Sequence, residues 1–317
     1  MTKPLKSGTN PKKRVLPGRP WKSKGRKPRR SSRFWILYLL SPTLFFIILI
    51  YSSALLSLFA ISFYRYLPSG ASIMQKTFIL QNYIRFLGDA YYLNVLWTTF
   101  KLSLIITFIT LLLGYPMAYV MVRTSSRFIK RGIMMTSFIP FLVAILVRIY
   151  SWMILLGQEG LFNNLLVFLG IITDQNRFQF MGNPYGTIIG LSYILLPFMV
   201  FTLAGVLKRI DRSIEEAAQN LGANKVQTFL RVTLPLSMPA ISSGSLIVFT
   251  LGISAFAVPL LLGGPSDRMI SNYIYDSFLF TSNYPFGAAM AFILLFISLA
   301  IVVIQMRVLQ TRKLGAE

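Results

Sequence analysis

Six long apolar stretches divide this chain, and they constrain its fold more than any other feature. The first contains no charged residue, and the six lie at about 34–63, 102–122, 133–156, 185–207, 239–262 and 286–306. Each is long enough to cross the roughly 30 Å hydrocarbon core of a bilayer as a helix. Because backbone groups in lipid must be satisfied within the segment, helices are expected. The sequence therefore predicts an all-α membrane protein with six transmembrane helices.

The basic residues are distributed unequally between the segments that connect these runs. Of the 32 Lys and Arg, 25 lie in four segments that share one side of the membrane: 1–33, 123–132, 208–237 and 307–317. Only five lie in the three segments on the other side: 64–94, 157–184 and 263–285. Because segments rich in Lys and Arg stay in the cytoplasm, this distribution predicts that both termini are cytoplasmic.

The first 33 residues differ in composition from the rest of the chain. They hold 13 basic residues and no acidic residue, together with five Pro. Such a segment cannot bury enough apolar surface to offset its ordering entropy, so residues 1–33 are predicted to be a disordered cytoplasmic tail and 34–317 the transmembrane domain. A nucleic-acid-binding arm is the alternative. A basic segment directly before an apolar run is more typical of a topology signal, so no nucleic-acid partner is expected.

Two missing residue types narrow the function. The chain contains no Cys and no His. This absence excludes thiol nucleophiles, imidazole acid–base chemistry and the usual zinc sites. A membrane enzyme with a Ser nucleophile would lack its usual base. The chain is therefore not expected to be an enzyme or to hold a metal.

The polar segment 208–237 carries signals for short helices. Ser213 and Glu216 have the spacing of a capping box, which predicts a helix over about 214–220. Gly222 fits a left-handed helix end.

A second helix is predicted after Gly222. Asn224 can cap it, and it runs through about Leu230. Pro235 and Pro239 are expected to break the chain before the next span. The apolar positions of this predicted helix pair are Ile214, Ala217, Ala218, Leu221, Val226, Phe229 and Leu230. An amphipathic pair of this size needs a surface on which to dock.

Short blocks at fixed spacing in this segment resemble the EAA loop of ABC importer permeases. The blocks are Glu216-Ala217-Ala218, then Gly222, then Val232-Thr233-Leu234-Pro235. The family pattern reads EAA, three residues, G, nine residues and I-x-L-P, so only Val232 departs from it. Four further segments resemble spermidine/putrescine-type permeases: 139–157, 159–163, 209–213 and 261–264.

The resemblance implies an ABC importer type I permease fold in a bacterial inner membrane. In that family the EAA loop docks on a cytoplasmic ATPase and couples ATP hydrolysis to transport. The matching positions here are Glu216, Ala217, Ala218, Gly222, Leu234 and Pro235. For Glu216, capping its own helix is an alternative role.

The resemblance also implies partners. A cytoplasmic ABC ATPase dimer would bind ATP, because this chain has no G-x-x-x-x-G-K-[ST] phosphate loop, and no cofactor is expected on this chain. A second homologous permease subunit would complete the pathway, and a periplasmic solute-binding protein would deliver the cargo. The implied function is import of a small solute, in the first place a polyamine such as spermidine or putrescine.

Arg148 is a charged residue well inside a predicted span. A charge in that position is costly and suggests a function, although snorkelling to the interface is an alternative. The candidates for the substrate path are Arg148, Tyr150, Trp152, Glu159 and Asp276. For the two acids, simple solvation in a loop is the alternative.

The nature of the cargo stays open because of one departure from the family. Ala255 and Leu260 occupy positions at which polyamine-type permeases often carry acids. The alternative cargo is an opine, an organophosphonate or another amino-acid-like solute. A self-contained channel or secondary transporter is the remaining alternative, but no predicted span contains the acid that ion coupling uses.

Overall fold

A computed structural model describes residues 30–68 and 73–314 of the chain. Helices account for most of these residues. The helices are α1 (Arg30–Ser62), α2 (Gln81–Gly88), α3 (Ala90–Arg123), α4 (Arg127–Leu142), α5 (Ile145–Leu156), α6 (Leu161–Phe168), α7 (Pro184–Leu207), α8 (Arg212–Asn220), α9 (Lys225–Thr228), α10 (Leu234–Ser254), α11 (Ala257–Leu262), α12 (Ile270–Leu279) and α13 (Tyr284–Leu314). A two-stranded antiparallel hairpin, β1 (Arg65–Tyr66) with β2 (Met74–Gln75), follows α1.

Six stretches of these helices are long and apolar enough to cross a membrane. Within the described residues they are Leu40–Ser62, Ala90–Arg123, Ile145–Phe168, Pro184–Leu207, Lys225–Ser254 and Tyr284–Arg307. This confirms the predicted number of spans. Most of the predicted tail, residues 1–29, lies outside the described residues, and α1 begins at Arg30 rather than after residue 33.

The chain divides into two compact units, Met1–Ala54 and Leu55–Glu317. In the first unit the described part is a single helix that exposes large apolar side chains such as Phe45, Phe46 and Ile50. A helix that is apolar all round and unburied requires a lipid environment.

Helices α3, α7 and α10 pack together at the centre of the second unit. Met199 of α7 is fully buried between two glycines. A Cβ on Gly114 of α3 would meet the Met199 Cγ at 3.0 Å, and a Cβ on Gly244 of α10 would meet its Sδ at 2.8 Å. Small residues at these crossings allow the close approach on which membrane helices depend.

The third predicted span, 133–156, is wrong as one helix. The chain breaks between α4 and α5, where Val143 and Ala144 adopt extended backbone with ψ of 132° and 140°. Pro140 has already removed one hydrogen bond from the end of α4. The candidate span instead begins at Ile145 and continues into α6.

The fifth predicted span, 239–262, is also interrupted. The helix α10 stops at Ser254, and Ala255 is extended, with ψ of 129°. Pro259 has no N–H to donate to the carbonyl of Ala255 four residues earlier. The Ser271 hydroxyl of α12 donates to that carbonyl at 2.6 Å instead. Backbone acceptors left free by the break are thereby satisfied.

The predicted break at Pro235 and Pro239 is wrong, because the candidate span runs without interruption from Lys225 to Ser254. Residues Phe229–Thr233 form a π-helical turn, in which Leu234 donates its N–H to Phe229 five residues earlier. Pro235 lies in the first turn of α10, and Pro239 lies inside this helix. The wider π turn accommodates the proline without ending the helix.

Candidate functional site

The helix pair, residues 212–228, comprises α8, a turn and α9. Asp211 rather than Ser213 caps α8, since its carboxylate accepts the Ser213 N–H at 3.0 Å. This bond holds the pKa of the Asp211 carboxyl below its usual value. Glu216 forms an exposed ion pair with Arg212 at 3.2 Å and does not close the predicted capping box.

The turn and α9 agree with the prediction more closely. Gly222 has a φ of +92°, the left-handed conformation expected of a helix end. Asn224 caps α9, and Gln227 completes a reciprocal capping box. The second helix is shorter than predicted, because its last turn widens into the π turn that leads to α10.

The outer surface of the helix pair exposes large apolar side chains. Leu221 is 91% exposed, Val226 65% and Leu230 53%. Ala217 is exposed as well, and Ala218 is half-buried. We call this surface the docking face: Ala217, Ala218, Leu221, Val226 and Leu230. Leu221, Val226 and Leu230 are therefore candidates for a contact with another protein.

Two of the predicted coupling residues lie away from the docking face. Leu234 packs against the central core, and Pro235 is exposed at the start of α10. The blocks of the motif therefore divide between the exposed helix pair and the foot of a transmembrane helix.

Glu215 lies beside the predicted Glu216 and is not among the residues that the motif singles out. Glu215 is 6% exposed, and its carboxylate accepts a bond from Arg123 Nη2 at 2.7 Å. Thr233 donates to the same oxygen at 2.9 Å. Nothing local in the sequence separates Glu215 from Glu216, and its partner Arg123 is 92 residues away.

Arg123 and Glu215 border a cavity of about 460 Å³ between the helix pair and the end of α3. The charged lining residues are Arg123, Arg212, Glu215, Glu216 and Lys225. Phe229 closes one side, and the rings of Tyr115 and Tyr119 meet it edge-on at 5.5 and 5.8 Å.

A second cavity, of about 340 Å³, lies where the two broken spans meet α7. We call it the membrane cavity. Its lining includes Ile145 and Arg148 from one break, Ala255 and Phe256 from the other, and apolar side chains of α7. Arg148 Nε is buried and has no hydrogen-bond partner among the described residues. None of the described residues that line it is acidic.

Of the predicted path residues, the membrane cavity includes Arg148 alone. Tyr150 is exposed, and Trp152 stacks on Phe162 with ring centroids 6.0 Å apart. Glu159 is exposed in the turn before α6, and Asp276 forms an ion pair with Arg268.

Of the two positions at which an acid was expected, Ala255 lines this cavity and Leu260 does not. The one of these two positions that lines the membrane cavity therefore carries Ala255 and no acid.

Six candidate spans, a cavity bordered by two breaks between helices, and an exposed helix pair define a multi-pass membrane transport protein. The chain belongs to the family of binding-protein-dependent transport system inner membrane components, whose model matches residues 110–314. It is a transport permease of the inner membrane and not an enzyme.

Two relatives and one solved structure are similar to this chain. The spermidine/putrescine transport system permease protein PotB of Salmonella typhimurium (strain SL1344) is 40% identical over 219 residues, covering 69% of this chain and 75% of the relative. PotB of Escherichia coli (strain K12) is 39% identical over 219 residues, covering 69% and 78%. A bacterial ABC transporter that imports the acidic polysaccharide alginate matches with a TM-score of 0.68 at 21% identity, covering 87% of this chain and 96% of that chain. The predicted ABC importer permease fold is confirmed.

Proposed function

We propose that this chain is the transmembrane permease subunit of an ABC importer that moves a polyamine such as spermidine or putrescine from the periplasm to the cytoplasm. The observation that carries this proposal is the similarity to spermidine/putrescine permeases, 40% identical over 219 residues. The similarity covers 75% of that relative, so it includes most of a working permease rather than one motif.

The docking face is the proposed contact with the ATPase that drives transport. A cytoplasmic ABC ATPase dimer binds ATP and contacts Leu221, Val226 and Leu230, which are exposed to an extent that a soluble surface rarely tolerates. Glu216 offers this partner a charged group at the edge of the same face. This chain itself needs no cofactor in the proposed cycle.

A second homologous permease subunit and a periplasmic binding protein complete the proposed assembly. The membrane cavity is bordered by two span breaks, and a second subunit against them would enclose a path. The binding protein delivers the cargo to the opposite end from the helix pair.

The proposed orientation places both termini and the helix pair in the cytoplasm. It is supported by the 25 basic residues on that side against five on the other. Because the chain has no Cys, single substitutions give unambiguous labelling with an impermeant maleimide. Asn176→Cys is expected to label in intact cells, and Ser125→Cys only after lysis. The reverse pattern would overturn the orientation.

Measurements of uptake test whether the cargo is a polyamine. Cells that carry all subunits of the system are compared with cells that lack this chain, using labelled spermidine and putrescine. Loss of polyamine uptake on deletion supports the proposal, and unlabelled polyamines should compete. Unchanged polyamine uptake would contradict it.

A second cargo class has one observation in its favour. Arg148 lies in a membrane cavity whose described lining has no acid to balance it, which suits an anionic or zwitterionic solute better than a polycation. Opines, organophosphonates and amino acids are therefore included as competitors. Uptake of one of these in labelled form that depends on this chain, with no chain-dependent uptake of spermidine, would assign the alternative cargo.

A further inference from the structure

Within α8, all of which the structure describes, Glu215 is the only buried side chain. Its carboxylate is therefore the side-chain group through which α8 is attached to the interior. The side chain contacts two core elements at once.

One of these elements is α3. Arg123 is the last residue of α3, and its Nη2 donates to Glu215 at 2.7 Å. Its Nη1 donates to the carbonyl of Ile210, just before α8, at 3.2 Å. The guanidinium thus holds both the start of α8 and its buried carboxylate.

The other element is the π turn at the foot of α10. Thr233, its last residue, is fully buried and donates to the same Glu215 oxygen at 2.9 Å. Tyr115 of α3 reaches the first turns of α10 too, with its hydroxyl 2.8 Å from that of Ser237. The two core helices therefore meet at the point where α8 is attached.

The attachment of α8 by the ion pair between Arg123 and Glu215 bears on the role of these residues. Apolar side chains would attach α8 at least as firmly, because a buried pair of charges gains little stability over a well-packed apolar pair. Two charge-assisted bonds to one carboxylate instead fix direction as well as distance. That geometry suits transmission of a rotation or a translation.

We propose that Arg123, Glu215 and Thr233 form a bracket that transmits movement of the ATPase-bound helix pair to α3 and α10 together. The bracket rests on the proposed function, since it presumes an ATPase on the docking face. Its members are positioning residues, which touch neither cargo nor nucleotide.

The test uses the complete complex in lipid nanodiscs and measures ATP hydrolysis with and without loaded binding protein. Arg123→Met/Glu215→Met keeps the site filled and removes the charges. We expect this variant to assemble with the ATPase and to keep basal hydrolysis and thermal stability. Stimulation by the binding protein is expected to fall about tenfold, within the usual range of coupling between sites. Stimulation by the binding protein should also fall in Glu215→Gln.

The matched control is Asp174→Asn. It makes the same carboxylate-to-amide change as Glu215→Gln. The change lies in an exposed ion pair with Arg177 at 2.8 Å, away from the helix pair. We expect normal stimulation from this variant. If Arg123→Met/Glu215→Met is stimulated as strongly as the wild type, the pair is only a structural anchor and the bracket is overturned.

A covalent link provides a second test, which also applies if the methionine variant does not fold. Arg123→Cys/Glu215→Cys in this Cys-free chain is joined by a short reducible bifunctional thiol reagent. The linked complex should regain stimulation and lose it on reduction. Complete linking without recovery would refute the bracket.

The wild-type chain separates the two proposals. If it fails to copurify with an ATPase, the proposed function fails and the bracket with it. If wild-type stimulation is normal and the bracket variants are unaffected, the bracket alone fails.

Discussion

The hydroxyl of Ser271 donates a 2.6 Å hydrogen bond to the carbonyl of Ala255 in another helix segment. Asn272 donates similarly to Phe256 at 2.9 Å. Two consecutive side chains of α12 therefore satisfy two consecutive carbonyls of the broken fifth span. The break borders the membrane cavity, so α12 stabilises its wall.

Ser271→Ala removes the donor to Ala255 and leaves a carbonyl that Pro259 cannot satisfy. We expect a loss of about 1–3 kcal/mol in unfolding free energy, the usual cost of an unsatisfied buried group. Thermal unfolding in detergent measures it. Ser254→Ala is the control, because the Ser254 hydroxyl is exposed and bonds only within its own helix. Equal stability of the two variants would contradict this role.

Gly186 lies in the first turn of α7, where a Cβ would meet the carbonyl oxygen of Leu262 at 2.5 Å and that of Phe180 at 2.8 Å. Both obstacles are backbone, so Gly186→Ala should destabilise the fold by roughly 1–3 kcal/mol. Gly205→Ala is the matched control in the same helix, since nothing lies within 4 Å of its Cβ. The control should be neutral or stabilising. A stable Gly186→Ala variant with unchanged unfolding temperature would count against this packing.

Leu221 is the most exposed apolar side chain of the docking face. Leu221→Glu should leave the fold intact and weaken copurification with the ATPase, because a charge would be buried in the contact. Leu221→Met conserves the apolar character and should bind normally. Pull-down and uptake in the same cells provide the measurement, and undiminished binding of Leu221→Glu would remove Leu221 from the contact.

Arg148→Gln tests the membrane cavity. If a polyamine passes this cavity, removing a cation whose Nε has no partner among the described residues should leave spermidine uptake intact or improve its KM, because repulsion of the ammonium groups is relieved. Lys101→Gln, an exposed basic residue of α3, serves as the control and should not change the KM. Loss of spermidine uptake in Arg148→Gln, but not in Lys101→Gln, would contradict this expectation.

The number of spans could be predicted from the sequence, because long apolar runs have few alternatives in a membrane. The residues at which the spans begin and end could not be predicted. The runs 133–156 and 239–262 look continuous in hydropathy, but Val143, Ala144 and Ala255 are extended in the folded chain. Hydropathy responds to composition, whereas the break at Ala255 depends on side chains of α12 that lie elsewhere in the sequence.

The turn and the second cap of the helix pair could be predicted because their signals are local. The Gly222 turn and the Asn224 cap each depend on residues no more than four positions away. The bracket could not be predicted, because Arg123 and Glu215 meet only after α3 and α8 have packed. The motif drew attention to Glu216, whereas the buried carboxylate is its neighbour.

The π turn at Phe229–Thr233 has a consequence for the angular setting of the docking face. A π turn carries one residue more than an α turn, and one residue corresponds to about 100° around a helix axis. A helical wheel drawn through α9 and α10 with uniform spacing would therefore place the side chains of α9 about 100° away from their actual positions relative to α10.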